Sequence, residues 1–384
     1  MGGSDIAINS VGFWVIAAAA VVVLNLLRTS PARPYAFAAV NIAVLAMLLH
    51  WLAVAVVAAI AAVFVLLRLP GRKVSISVLS VGILILFVVH KSAILRSALD
   101  LQITMRVLAA IGFSFVALRL VELLRAMAER RYPPPSLPAL VNYLVPFHML
   151  AAGPIQSYDD FVSQPTAPPA PGSRDVLEGA ERIANGLFKK FVLAYALHTL
   201  FLTDLRSDGI YFFIEVQVLL LWLYLDFSAY SDIAVGIGRL AGIATPENFR
   251  APLKSRNLIE FWDRWHISLS QFIRRNLFIP IQLFLMRRSA ASLPIFHASI
   301  ATLIAFTLAG VWHGLAIGWF VWGCMHAAGL VVVRLYGVVL QRHLGSGGLR
   351  TYRANPIISA LATLLTYEYA AFAFVPTFLW TRGL

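Results

Sequence analysis

Apolar runs long enough to cross a bilayer follow one another along most of this chain, and no other feature restricts its fold so strongly. Hydrophobic residues fill 60% of the 384 positions, and only 13% are charged. A soluble domain has roughly a quarter of its residues charged, and it could not hide this much apolar surface from water. The sequence therefore predicts an all-α polytopic membrane protein.

The apolar runs predict about ten or eleven membrane segments. The clearest are Val11–Leu27, Tyr35–Leu67, Val74–His90, Leu101–Leu124, Tyr211–Leu225, Ile300–Val311, Leu315–Leu340 and Ile357–Leu379. Tyr35–Leu67 is too long for one helix, and a turn at His50 would divide it into two spans. Val11–Leu27 lacks the basic start and the cleavage site of a signal peptide, so we expect it to remain as the first span.

The net charge of +13 indicates how the chain is oriented. Arg28, Arg72 and Arg130 belong to three basic connections that fall on one side of the predicted spans, and such connections are usually cytoplasmic. We therefore expect an outside N-terminus. The partner of this positive charge is expected to be anionic lipid, not nucleic acid.

Two segments differ from simple spans. Ala139–Ile155 is apolar but short and broken, which is typical of a re-entrant segment. Phe249–Arg288 is rich in arginine, and apolar residues recur in it at three- and four-residue steps. That pattern predicts an amphipathic helix at the cytoplasmic interface.

His313 is the strongest catalytic candidate, because an ionisable group at membrane depth is costly and usually functional. It lies between Gly310 and Gly314, which let a ligand or backbone approach closely. A neutral imidazole there can take a proton from a hydroxyl group. The alternative is a core histidine bonded to a carbonyl. His326 follows in the next apolar span and is expected to line the same cavity.

His266 is the second candidate. If its segment is helical, Asp263 and Ser270 lie within one turn on the same face, and Asp263 could orient the ring. The alternative is a histidine that only packs. Further acids and a tyrosine end an earlier apolar run, where they either line a tunnel or pair with arginines; these are Asp226, Tyr230 and Asp232.

Several motifs together resemble the membrane-bound O-acyltransferase (MBOAT) family over residues 140–330. They are Ala152-Gly153-Pro154-Ile155, Leu225-Asp226-Phe227-Ser228-Ala229-Tyr230-Ser231-Asp232, Pro246-Glu247-Asn248-Phe249, Ser255-Arg256-Asn257, Phe261-Trp262-Asp263-Arg264-Trp265-His266-Ile267-Ser268-Leu269-Ser270 and Gly310-Val311-Trp312-His313-Gly314. Within the family the motifs are most similar to the DltB-like branch, which includes D-alanyl transferases and polysaccharide O-acetylases.

The resemblance implies a single MBOAT domain over 1–384, with N-terminal spans in 1–132, a catalytic core in 139–341 and a C-terminal span in 355–384. It implies a ring of helices around a tunnel that joins a cytoplasmic thioester donor to an extracytoplasmic acceptor. His313 would be catalytic, and His266 would lie near the donor. Trp312 and Asn248 would line the tunnel, and either the Trp312 N–H or a tunnel backbone amide could bind the oxyanion.

The donor implied by the resemblance is an acidic acyl-carrier protein with a phosphopantetheine arm, or acyl-CoA. Its docking surface is expected at Arg274, Arg275 and Phe278. The acceptor would be a teichoic-acid-like polymer or a polysaccharide, reached with an accessory membrane-anchored protein, at the inner membrane of a bacterium. No tightly bound cofactor and no metal are predicted. The alternatives are a transporter in which His313 and His326 relay protons, and a non-catalytic scaffold.

Overall fold

The computed structural model of the chain describes residues 8–92, 95, 99, 101–202, 209–288 and 294–381. In these residues the regular structure is helical and no strand is present, so the predicted all-α fold is confirmed. Contacts divide the chain into two compact units. The first unit is Met1–Phe188 with Ala229–Pro246, and the second unit is Lys189–Ser228 with Glu247–Leu384. The single MBOAT domain stays a prediction.

The first unit is built from apolar helices with short connections. Its α-helices are Val11–Leu26, Arg33–Leu49, Ala53–Leu66, Arg72–Lys91, Gln102–Ala110, Phe113–Ala128, Leu137–Leu144, Tyr158–Val162 and Ser173–Phe188, and its 3-10 turns are His50–Leu52 and Phe147–Met149. The last part of the helix Gly209–Leu240 also belongs to this unit.

The chain turns back at His50, as the sequence predicted. His50 has a left-handed φ of 52° and begins the 3-10 turn. Arg33, before the run, lines a cavity together with Pro135, and Arg68, after the run, donates to the carbonyl oxygen of Pro135. A straight helix of 34 residues would hold its ends about 50 Å apart. Both ends of this run lie near Pro135, so the chain must reverse its direction between them.

The predicted span Leu101–Leu124 is bent, which its hydropathy did not reveal. Gln102–Ala110 and Phe113–Ala128 meet at 69°. Gly112 stands between them with a φ of 59°, and an added Cβ would collide with the carbonyl oxygen of Ala151. The bend is thus a place where only glycine fits.

Arg119 holds the predicted re-entrant segment in the first unit. It is fully buried and donates to the carbonyl oxygens of Leu144 at 3.2 Å, Met149 at 2.7 Å and Pro154 at 3.4 Å. The segment Leu137–Leu144 and its continuation are indeed short and broken. Broken backbone away from water needs such donors, which is why a charge is kept inside an apolar core.

The second unit contains longer spans and a series of short helices. Its α-helices are Tyr195–Leu197, the first part of Gly209–Leu240, Leu258–Arg264, Ile267–Ile273, Ile279–Arg288, Pro294–His313, Ile317–Ala354, Pro356–Ala373 and Val375–Thr381. The π-turns are Lys189–Ala194, His198–Leu202 and Arg274–Phe278, and Pro252–Lys254 is a 3-10 turn.

The prediction of one continuous amphipathic helix over Phe249–Arg288 is wrong. The segment is broken at Trp265, which has extended backbone, and at His266, which is left-handed with a φ of 43°. The apolar residues of the supposed stripe, such as Phe261 and Trp265, instead pack into the buried core of this unit. These residues recur at helical spacing, but the backbone leaves the helix because their aromatic rings are buried on several sides.

The described residues contain six helices long and apolar enough to cross a membrane, or seven if the bent pair counts as one span. They are Arg33–Leu66, Arg72–Lys91, Gly209–Leu240, Pro294–His313, Ile317–Ala354 and Pro356–Thr377. The chain is therefore a multi-pass protein, although the predicted count of ten or eleven is too high on this measure. The difference arises partly because Arg33–Leu66 is counted once and Val11–Leu26 is too short.

Candidate active site

His313 is the last residue of the helix Pro294–His313, and aromatic rings surround its imidazole. The ring of Trp319 is stacked on it with centroids 4.8 Å apart and planes at 17°, while Trp312 and Trp322 contact it at 4.6 Å and 5.1 Å. The C-terminal end of a helix and the face of an indole both attract positive charge. This position therefore suits a histidine that becomes an imidazolium during a reaction.

The glycines beside His313 allow two helix backbones to touch. A Cβ on Gly310 would collide with the carbonyl oxygen of Trp319, and one on Gly323 would collide with that of Phe306. The helices Pro294–His313 and Ile317–Ala354 can therefore pack in close contact. That contact places Trp319 and Trp322 against His313.

His266 lies in the second unit and is held by Asn248. Its Nδ1 is 3.0 Å from the side-chain oxygen of Asn248, which also accepts from the backbone N–H and the hydroxyl of Ser268 at 3.3 Å and 2.8 Å. A backbone N–H can only donate, so the shared Asn248 atom must be oxygen, and Nδ1 of His266 must donate to it. Nε2 of His266 then keeps its lone pair.

The environment of His266 keeps the ring neutral. Burial lowers the pKa of His266 well below its usual value, and the proximity of His313 lowers it further. The edge of the Phe227 ring packs against it with centroids 4.7 Å apart. The structure thus brings the two predicted histidines together and favours the neutral form of His266.

Asp263 is not the partner of His266 that the sequence predicted. Its side chain is exposed, and it makes no hydrogen bond or ion pair with His266 in the part of the chain that is described. The break in the helix moves it to a cavity of about 270 Å³ that Ser270, Trp262 and Arg274 also line. The hydrogen-bond partner, Asn248, precedes His266 by 18 residues, with the helix Leu258–Arg264 between them, so helical spacing could not have found it.

His326 is fully buried beside the same aromatic rings. Trp262 donates from Nε1 to Nδ1 of His326 at 3.3 Å, and the ring of Trp322 lies 4.8 Å away. Trp322 contacts both His313 and His326. The structure therefore supports the prediction that His326 is near His313.

The acids and the tyrosine of the earlier run are divided between the two units. In the second unit Asp226 pairs with Lys190 at 2.5 Å. In the first unit Arg182 pairs with Asp232 at 2.9 Å, and the hydroxyl of Tyr230 accepts from the backbone N–H of Ala151 at 3.2 Å. The pairing alternative thus describes these acids, but their cations come from outside Phe249–Arg288.

The residues of the predicted docking surface form part of a π-turn. Arg274 is exposed and Arg275 is half-buried. Arg274 and Phe278 line the 270 Å³ cavity, whereas Arg275 does not. Arg334, which also lines this cavity, donates to the hydroxyl of Thr302 at 3.0 Å.

A larger cavity, which the sequence analysis missed, adjoins the first. Its volume is about 840 Å³, and it shares Asp263 and Arg334 with the smaller cavity. The other arginines that line it are Arg256, Arg342 and Arg353. The signal in the sequence was the basic end of the helix Ile317–Ala354, which the hydropathy pattern presents only as the end of a span.

Comparison with known proteins assigns a class to this arrangement. The model of the membrane-bound O-acyltransferase family matches residues 73–345. The chain belongs to the MBOAT family. The match includes His266, His313 and His326, and it confirms the predicted resemblance.

Three relatives show the range of reactions in this part of the MBOAT family. The teichoic acid D-alanyltransferase of Bacillus subtilis (strain 168) is 26% identical over 274 residues, which cover 69% of this chain and 67% of that protein. The peptidoglycan O-acetyltransferase of Helicobacter pylori is 32% identical over 237 residues, covering 60% and 41%. The probable alginate O-acetylase of Pseudomonas syringae pv. tomato is 28% identical over 282 residues, covering 71% and 50%.

This MBOAT protein is therefore an O-acyltransferase embedded in a membrane, as predicted. The alternatives of a proton-relay transporter and of a non-catalytic scaffold have no support from these relatives. Among the described residues no group of three histidine, cysteine or acidic side chains is arranged to hold a metal ion.

Proposed function

We propose that this protein moves a small acyl group, D-alanyl or acetyl, from a cytoplasmic thioester donor to a hydroxyl group of an extracytoplasmic cell-envelope polymer. The observation that carries the proposal is the pair of His313 and His266, which are close enough for one to lower the pKa of the other. The names of the relatives support the two acyl groups and the kind of acceptor.

His313 acts as the general base in this proposal. Its imidazole takes the proton of the acceptor hydroxyl as that oxygen attacks the thioester carbonyl, and it returns the proton to the departing thiolate. The products are an ester and a free thiol. The helix end and the stacked Trp319 stabilise the imidazolium that exists between these two steps.

His266 orients the donor. Its buried ring is held in one orientation by Asn248, so it offers the donor arm a fixed surface to pack against. The hydrogen bond to Asn248 determines which ring nitrogen of His266 carries the proton. The hydrogen bond from the Ser268 hydroxyl fixes the orientation of the Asn248 side chain. Because the His266 ring stays neutral, His313 carries the positive charge that forms during the reaction.

The two cavities of the second unit suit the phosphate end of such a donor. Four arginines line the larger cavity, and Arg334 joins it to the smaller one, which Trp262 and Ser270 line. A guanidinium binds a phosphate through parallel hydrogen bonds. An acyl-CoA and a carrier-borne phosphopantetheine share this chemistry, while the exposed Arg274 adds a surface that an acidic carrier protein would contact.

A comparison of donors distinguishes these two sources. In nanodiscs of neutral lipid, the charge reversals Arg274→Glu and Arg275→Glu should raise the KM for a D-alanyl carrier protein. Arg275→Glu should leave the KM for acetyl-CoA unchanged, because Arg275 does not line the cavity. Arg334→Gln should raise the KM for both donors. Unchanged binding and transfer of the carrier in the reversed variants would exclude carrier docking at this surface and favour a soluble CoA thioester.

The proposed location is the inner membrane of a bacterium, because the relatives named above come from bacteria. The acceptor there is a teichoic-acid-like polymer, a peptidoglycan or another polysaccharide. An accessory membrane-anchored protein would present this acceptor to the outer end of the site.

Replacement of His313 tests the proposed function directly. His313→Ala should lower kcat by at least about 100-fold, because general acid–base catalysis contributes that much. The thermal unfolding midpoint should change little, since the ring is half-buried. His297→Ala, another histidine of the same helix, is the matched control and should keep its activity. A fully active His313→Ala protein would remove His313 from the reaction.

A further inference from the structure

Two buried hydrogen-bond donors next to His313 have no acceptor among the residues that the structure describes. They are Nε1 of Trp322 and Nε2 of His326, whose side chains are 2% and 0% exposed. His326 is a donor at Nε2 because its Nδ1 accepts from Trp262, so a neutral ring carries its proton at the other nitrogen.

The surroundings of these donors are aromatic. Phe374 packs against both rings, with centroids 5.9 Å from Trp322 and 6.1 Å from His326. Trp262 covers the same pair at 5.8 Å and 5.1 Å. A buried donor without an acceptor is destabilising, so two neighbouring ones in one described core favour an occupant that supplies oxygen.

We infer that Trp322 and His326 bind the carbonyl oxygen of the acyl group and stabilise its negative charge during transfer. This inference rests on the proposed function. Trp322 connects the two groups, because its ring contacts both His313 and His326. A carbonyl whose oxygen lies at these donors therefore has its carbon near the base.

The chemical step accounts for both donors. When the hydroxyl oxygen attacks, the new C–O bond forms, the proton passes to His313 and the π electrons of the carbonyl move onto its oxygen. When the tetrahedral intermediate collapses, the carbonyl forms again, the C–S bond breaks and the thiolate takes the proton from His313. Trp322 and His326 hold their N–H groups in place throughout, so no reorganisation is needed as the charge develops.

Trp262 is a positioning residue in this arrangement. Its N–H selects the tautomer of His326, and without it the proton can move to Nδ1. It also lines the 270 Å³ cavity.

Apolar replacements separate catalysis from structure. His326→Phe and Trp322→Phe should each lower kcat by about 100-fold, as the loss of an oxyanion donor does, with little change in KM. The unfolding midpoint of Trp322→Phe should stay the same or rise, since an unsatisfied buried donor has been removed. That of His326→Phe should change little, because Trp262 loses its acceptor while the unsatisfied donor of His326 is removed. His326→Gln, which offers an N–H group, should recover part of the kcat that His326→Phe loses.

Control variants distinguish a loss of kcat that reflects catalysis from one that reflects folding. His297→Phe replaces a buried histidine of the same unit and should keep its kcat. If His326→Phe and Trp322→Phe retain kcat within a few-fold, the donors serve a buried water and the inference is wrong. If their kcat falls only in proportion to folded protein, the rings are structural and the inference is also wrong. An active His313→Ala would instead refute the proposed function.

A measurement on the wild-type protein does not depend on the folding of variants. A non-reacting donor with a carbon-13-labelled thioester carbonyl should show its infrared carbonyl band at lower frequency when bound than in an apolar solvent, because two hydrogen bonds weaken the C=O bond. An unshifted band would exclude this oxygen site.

Discussion

At the scale of single residues, the backbone conformation of His266 allows its chemical role to be tested apart from its role in packing. Its φ of 43° lies in the left-handed region, which costs roughly 1–2 kcal/mol for a residue with a Cβ. The hydrogen bond to Asn248 and the contact with Phe227 maintain it there. A strained residue held in this way is more often functional than incidental.

His266→Asn is the replacement that isolates the imidazole. Asparagine tolerates the left-handed region better than alanine does, so this variant should keep a higher unfolding midpoint than His266→Ala. Both should lower kcat by about 100-fold if the ring orients the donor. A normal kcat in His266→Asn, together with reduced stability in His266→Ala, would show that the residue only packs.

Sequence reasoning indicated candidate residues more readily than their partners. His313 and His326 were predicted because an imidazole at membrane depth is rare, and His266 because Asp263 and Ser270 lie close to it in the sequence. Asn248 was expected in a tunnel lining and Asp263 beside His266. Only the tertiary structure reveals that Asn248 binds the ring, since Trp265 and His266 leave the helical conformation that the spacing argument assumed.

At the scale of elements, the contact between the helices Pro294–His313 and Ile317–Ala354 determines the environment of His313. Gly310 and Gly323 are the positions where backbone meets backbone. The aromatic rings around His313 come from the second helix, so their distance from the imidazole depends on this contact.

Gly310→Ala should therefore lower both stability and kcat. Its Cβ would collide with the carbonyl oxygen of Trp319, and the helices would have to separate by a few tenths of an ångström or more. Gly337→Ala is the control, because nothing lies within 4 Å of its Cβ and the helix should gain about 0.5–1 kcal/mol. Thermal unfolding and transfer assays on both variants provide the measurement. Equal behaviour of the two would contradict the packing argument.

At the scale of the whole molecule, the basic connections of the first unit lie together. Arg33 and Arg68 meet the segment that contains Pro135, and Arg72 donates to the carbonyl oxygen of Tyr132 at 3.2 Å. A helical run that turns back at His50 explains this arrangement. It agrees with the positive-inside rule, which expects such connections on the cytoplasmic side.

Labelling of introduced cysteines tests this orientation. In a Cys324→Ala background, Arg28→Cys, Arg72→Cys and Arg287→Cys should react with an impermeant maleimide only after the cells are permeabilised. Val11→Cys, on the opposite end of the first helix, should react in intact cells. Reaction of Arg287→Cys from outside would invert the proposed orientation and remove a cytoplasmic donor.

The sequence alone determined the class of fold and indicated the candidate histidines, because both depend on properties of single residues and runs. Lipid requires long apolar helices, and a rare polar group among them indicates a site. The tertiary structure alone decided which groups face those histidines. Asn248 at His266, Trp322 beside His326, and Arg334 between two cavities come from distant parts of the chain. Aromatic packing brings such residues together, and helical periodicity carries no information about contacts of that kind.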